Sequence, residues 1–183
     1  RRADLDVLVD SAVDLALQKL DATYAKGGQY TVILDPELVG ILAHEAIGHT
    51  VEADFVLSGS IVRDKIGEQV ASNLVTMVDD GHVNGAVGMV LVDDEGEPGQ
   101  RTTIIEQGIL RAYLHSRESA AIFDTEPCGN ARAFTYQDEP LIRMTNTFVL
   151  PGEDNLDQMI QGVDDGFVLK GLGQGGQADA TAE

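Results

Sequence analysis

At 183 residues, 43% of them hydrophobic, the chain is long enough for one ordinary domain with its own core, or for a piece of a larger protein. Twelve basic residues against 31 acidic ones leave a formal charge of -19, which repels nucleic-acid phosphates and anionic lipid surfaces and argues against both as direct partners. A single cysteine, Cys128, excludes an internal disulfide; with no apolar run near the ~18 residues of a membrane span and no signal-peptide core, a soluble, cytoplasmic protein is expected.

Residues 3–20 place Leu5, Leu8, Ala12, Leu15 and Ala16 at helical rather than alternating spacing, which predicts an amphipathic helix. After a Lys-Gly-Gly break, Tyr30 to Leu34 reads as a short strand, and Asp35 followed by Pro36 reads as the N-cap and first turn of a second helix. That helix carries ILAHEAIGHTVEADF, residues 41–55. From Gly59 to Val70 the pattern predicts a further helix, followed by a strand over Leu74 to Val78 that an Asp79-Asp80-Gly81 turn closes. Strands separated by turns are then expected in AVGMVLVDDEG (86–96), RTTIIEQGILRAYL (101–114) and PLIRMTNTFVLPG (140–152), with Gln107-Gly108 as a hairpin tip. Short helices are predicted over SRESAAIF (116–123) and LDQMIQGVD (156–164). Strand runs with few helices between them predict an α+β fold, an antiparallel sheet with the motif-bearing helix and a few flanking helices, in a single domain over 1–183.

His44 and His49, with Glu45 directly after the first, offer two neutral nitrogen ligands for a borderline-soft cation and a carboxylate base beside it. Their spacing is the difficulty. Five residues of ideal α-helix turn roughly 500°, which leaves the two side chains about 140° apart, whereas a spacing of four leaves about 40°. One ion can be shared only if the helix is distorted. An i to i+5 turn brings the pair nearly into line, and the freedom of Gly48 predicts that distortion, or a helix end, at its position. On spacing alone, a shared metal and two separate structural histidines stay equally open. Glu52 could add an oxygen ligand, a bond to the far nitrogen of an imidazole, or only helix-end solvation; solvation is the favoured reading for Asp54.

HEAIGHTVEAD (44–54), KIGEQVAS (65–72), VTMVDDG (75–81), DDEGEPGQRTTIIEQGIL (93–110), RMTNTFVLPG (143–152) and GQGGQAD (173–179), in that order, resemble the TldD/PmbA family, also called the modulator of DNA gyrase family. The resemblance runs from about Tyr30 to the C-terminus. It implies a zinc-dependent peptidase acting on unfolded or small peptides as a two-subunit assembly. The active TldD-type subunit carries the His-Glu-x-x-x-His helix and the PmbA/TldE-type subunit lacks it, so this chain is similar to the active type. The partner implied is a second copy or a PmbA/TldE-type subunit. By position, His44 and His49 are implied as zinc ligands and Glu45 as the general base. The third ligand of the active type is a cysteine far downstream. That stretch and the family's N-terminal domain are expected to lie outside this sequence, whose ends both read as cut, leaving a fragment of the catalytic C-terminal domain that is inactive without its third ligand. The competing function is a non-catalytic peptide-binding or assembly module that affects a gyrase-associated partner through protein contacts.

The other candidates receive plainer readings. Cys128 is taken as a small packed thiol, and His82 and His115 are assigned to no site. VDDEGEP (92–98) lacks the ligand spacing of a calcium loop and reads as a solvated turn, and the terminal GLGQGGQ lacks the Gly-Lys-Ser/Thr of a phosphate loop.

Overall fold

The computed structural model describes residues 4–171, and the chain falls into two units that divide between Thr31 and Val32. The first holds helix α1 (Leu5–Leu20), which begins where the Asp4 carboxylate accepts the Asp6 amide at 3.2 Å. None of its residues is buried. The amphipathic pattern therefore forms a helix as expected, with its apolar stripe open. No described helix is long and apolar enough to cross a membrane.

The second unit takes up β1 (Thr31–Leu34) from Val32 on, and this strand pairs with β8 (Gly166–Leu169). Asp35 ends that pair and starts the next element. Its amide donates to the Leu169 carbonyl at 3.0 Å, and its carboxylate accepts from Leu38 at 2.8 Å and Gly171 at 2.7 Å. Those amide donors hold its carboxyl below the usual carboxylate range. Pro36 then opens α2 (Pro36–Leu42), in the position where its missing N–H costs nothing.

The core lies on a four-stranded antiparallel sheet of β2 (Met77–Asp80), β3 (Arg101–Glu106), β4 (Ile109–Leu110) and β7 (Thr147–Val149), in the order β4-β3-β2-β7. Ile104 and Ile105 are adjacent in sequence and both buried, so β3 is covered on its two faces. Gln107 and Gly108, at φ 48° and 83°, make the tight turn between β3 and β4 that needs two positive φ values. Val51, Val56, Met77, Leu110, Leu114 and Met144 are among the residues that fill this core. The short helices α4 (Arg117–Phe123) and α5 (Leu156–Gln161) form where expected, each with a side-chain cap from Ser116 or Asn155. A small pair, β5 (Ala131–Arg132) with β6 (Leu141–Ile142), completes the fold. The mixed composition and antiparallel pairing make it α+β.

Four predicted elements are corrected. Residues 59–70 form turns, not a helix, with Gly59, Asp64 and Gly67 at positive φ. Their amides and carbonyls are spent on the hairpin instead: Gly67 donates to Leu110, Leu110 to Glu68 and Val70 to Gly108, at 2.8, 3.0 and 2.9 Å. The strand expected at 74–78 begins at Met77 and includes both aspartates, because Asp79 and Asp80 find donors inside the fold. Residues 86–96 form no strand, only an isolated bridge of Val92 to Pro98. There Asp93 bends the chain, accepting from the amides of Glu95, Glu97 and Ala131 at 2.9–3.0 Å. Asp93 is buried, so the turn read as solvated is a packed support. The expected strand at 140–152 splits into β6 and β7, and residues 172–179, which include GQGGQAD, lie outside the described residues.

Candidate metal centre

The backbone of the His44 segment changes pitch twice. After α2 comes a π-helical turn over Ala43–Gly48, then a 3-10 turn over His49–Val51, then an extended Glu52 before α3 (Ala53–Leu57). The amide of His49 donates to the carbonyl of His44, the i to i+5 bond that a spacing of five demands. Rewinding leaves carbonyls that need partners, and two hydroxyls supply them: Thr50 donates to the Ile47 carbonyl and Ser60 to that of Thr50, both at 2.7 Å.

Gly48 sits in this turn for a different reason from the one its type implied. Its φ of -52° and ψ of -52° are open to any residue. A Cβ there would run into Met144 Sδ. Missing volume rather than backbone freedom is therefore what the glycine contributes, and it lets buried Met144 close over the turn.

The rewound turn brings the side chains together. The His44 and His49 rings lie 4.8 Å apart, nearly perpendicular at 84°. The ligand atoms of His44, Glu45 and His49 all fall within 4.8 Å of one another, and among the described residues this is the one group of three metal-capable side chains. Glu45 Oε2 stands 4.0 Å from His49 Nε2 and is itself buried without a hydrogen-bond partner among the described residues. Partial loss of hydration, and then the neighbouring His49, hold His44 below the usual imidazole value, which favours the neutral ring a metal needs.

Glu52 takes the bond to the far nitrogen. Its Oε2 lies 3.1 Å from His49 Nδ1, so Nε2 is the nitrogen left facing Glu45. The carboxyl is fully buried, with Arg143 3.9 Å from the same oxygen, and Oε1 has no partner among the described residues. Burial pushes its pKa up, and the bond to His49 pulls it back. Its backbone is fixed on both sides, Leu114 donating to Val51 at 2.9 Å and Ala53 to Leu114 at 3.0 Å. Asp54 takes no such part; its side chain accepts from the adjacent Phe55 amide at 2.9 Å.

His44 and Glu45 open onto a cleft of about 590 Å³ that Arg132, Met144, Thr145 and Asn146 also line. Sequence reasoning missed what holds this wall. Asp79, buried in β2, accepts from Asn130 Nδ2 and the Thr145 amide at 2.8 and 2.9 Å, and from the Thr145 and Thr147 hydroxyls at 2.7 and 2.6 Å. Asn146 binds the Gly88 amide and the Asp80 carbonyl. The signal available was Thr-Asn-Thr beside a strand ending in two aspartates.

The remaining candidates stand apart from this group. Cys128 is a buried thiol pointed at the Tyr113 carbonyl, and burial raises its pKa. His82 is exposed. His115 is buried beside Ser119 Oγ at 3.1 Å, and burial lowers its pKa to about 4.

Residues 27–183 match the family described as the PmbA/TldA metallopeptidase C-terminal domain. A metalloprotease of Methanocaldococcus jannaschii is 47% identical over 169 residues, covering 92% of this chain and 37% of the relative. A zinc metalloprotease TldD homolog of Saccharolobus solfataricus is 37% identical, covering 91% of this chain and 38% of its own. The chain thus spans little more than a third of these relatives. The crystal structure of TldE from Thermococcus kodakarensis shares the fold, with a TM-score of 0.75 at 22% identity over 93% of this chain and 40% of that one. By the extent of the family match and the identity of its relatives, the chain belongs to the PmbA/TldD metallopeptidase family.

Proposed function

We propose that this chain is part of the catalytic domain of a zinc-dependent peptidase, with His44 and His49 as zinc ligands and Glu45 as general base. The observation that carries the reading is the π-turn, whose His49-to-His44 bond draws both rings and the Glu45 carboxylate to within 4.8 Å. The residues fit the metal: two imidazoles to bind it, of which His44 is held towards neutrality, and beside them, for the base, a buried carboxylate oxygen with no partner among the described residues. When bound, zinc supplies Lewis acidity to the scissile carbonyl and the attacking water. Glu45 removes a proton from that water and passes it to the leaving amine. Glu52 holds the His49 ring with Nε2 facing Glu45. The third protein ligand, by resemblance, is a cysteine downstream of the matched segment.

An extended peptide fits the edge of β7. Leu150 donates to Thr76 and Asp80 to Asn146, which places the amides and carbonyls of Thr147 and Val149 on the side away from β2. β7 ends the sheet order, and Thr147 lines the cleft. Recognition through backbone suits unfolded or small peptides of varied sequence. The working assembly in this reading is a dimer in the cytoplasm, with a second copy or a TldE-type subunit. Zinc content and peptide cleavage of the full-length protein test the proposal. One zinc per site is expected, with cleavage lost to a chelator and restored by zinc; a zinc-free protein, or cleavage indifferent to chelation, overturns it.

A further inference from the structure

Arg63, Arg101, Arg111, Arg117 and Arg143 each lie within 4.0 Å of a carboxylate. Arg132 alone among the described arginines does not, in a chain carrying 31 acidic residues. Its guanidinium is half-buried, donates through Nη2 to the Met144 carbonyl, and has a buried Nε without a partner among the described residues. Keeping a cation partly desolvated with no counter-ion costs free energy, and the surrounding sequence had many carboxylates with which to avoid it.

The position of Arg132 gives that cost a use. It lines the cleft that holds His44 and Glu45. The other polar side chains of that wall are spent on scaffold: the hydroxyls of Thr145 and Thr147 on Asp79, the amide of Asn146 on Gly88 and Asp80. Glu37 and Glu45, also in the cleft, repel anions. Arg132 is therefore the one cation among the described lining residues, and its planar fork matches a carboxylate. We propose that Arg132 is the receptor for a carboxylate of the peptide substrate, either its C-terminus or an Asp or Glu side chain. This rests on the peptidase reading above.

The test uses the zinc-loaded full-length protein, in its native assembly, and two pairs of otherwise identical peptides. One pair has a C-terminal acid or amide, the other a Glu or Gln at a single position. The carboxylate member of one pair should be favoured about tenfold in kcat/KM, and the pair that responds identifies the source. In Arg132→Gln the ratio should fall to about one, with Arg132→Lys in between because it keeps the charge and loses the fork. A ratio taken within each protein is insensitive to partial misfolding. Anisotropy of labelled peptides on Glu45→Gln protein should give the same preference without turnover. A wild-type ratio near one in both pairs, or an undiminished ratio in Arg132→Gln, overturns the assignment. Should no peptide be cleaved while the anisotropy preference holds, the peptidase reading fails and the carboxylate receptor stands.

Discussion

Replacing Gly48 by alanine separates two accounts of a glycine inside the turn that carries His44 and His49. Its angles, φ -52° and ψ -52°, are helical, so alanine's better propensity alone would stabilise the turn by ~1 kcal/mol. Space argues the other way. The new Cβ would overlap Met144 Sδ, and would reach 3.0 Å from Met144 Cε and 3.3 Å from the Ala43 carbonyl oxygen. Met144 is only 4% exposed, so moving its thioether disturbs the packing around it, at ~1–3 kcal/mol. The two effects leave Gly48→Ala destabilised by about 1 kcal/mol net. Urea denaturation of wild type, Gly48→Ala, Met144→Ala and the double variant reads the cycle. With Met144 truncated the obstruction is gone, and Gly48→Ala should turn stabilising by up to ~1 kcal/mol, a coupling of about 2 kcal/mol. An effect of Gly48→Ala that is the same in both backgrounds would refute the steric account.

Three further outcomes follow from the site and its surroundings. Glu45→Gln in the full-length protein should keep its zinc while peptide hydrolysis falls by about 10²–10⁴-fold; metal analysis showing zinc lost with activity would make Glu45 a ligand and not the base. Glu52→Gln should weaken zinc binding roughly 10–100-fold, read by competition with a chelating dye, since the amide holds the His49 ring less firmly; unchanged affinity would remove Glu52 from any positioning role. His115 accepts a proton only near pH 4 in the folded chain and near 6.5 when unfolded. The unfolded state thus binds more protons between those values, so its contribution is fully present above pH 6.5 and is lost as pH falls towards 4. The loss should reach about 2 kcal/mol by pH 5, and His115→Leu should remove it from the difference between the two pH profiles. Parallel profiles for the two proteins would show that His115 does not titrate in this way.

Features decided within a few residues are legible in the sequence. Asp35-Pro36 starts a helix, Gln107-Gly108 closes a hairpin and Ser116 caps α4, because the amides that cap the helices, Leu38 and Ser119, lie three residues on and the hairpin turn needs only its own two positive φ values. The π-turn belongs to this class, since two rings cannot meet across five residues of regular helix. Features that depend on distant partners are not legible there. Helical spacing at 59–70 loses to the open edge of a hairpin whose strands come some forty residues later. Asp79 reads as a turn residue because its donors, Thr145 and Thr147, lie 66 and 68 positions away. Gly48 marks the place of the distortion but not its reason, because Met144 reaches it only through the tertiary structure.

The same division of range bears on how the metal motif should be judged. His44, Glu45 and His49 are local, and a local pattern is what chance can also produce. The group that aims them is not local in its support: Glu52 accepts from His49, while its own carboxylate lies near Arg143 and its backbone is clamped to Leu114. A solitary structural histidine has no need of a buried carboxylate on one nitrogen and a second, unpartnered carboxylate facing the other. Burying the Glu52 carboxyl and the Glu45 Oε2 atom is costly unless something cationic offsets them; Arg143 stands near the first, and no arginine or lysine among the described residues stands within 4.0 Å of the second. That cost, incurred at residues beyond the motif itself, weighs more heavily for a metal centre than the spacing of its histidines.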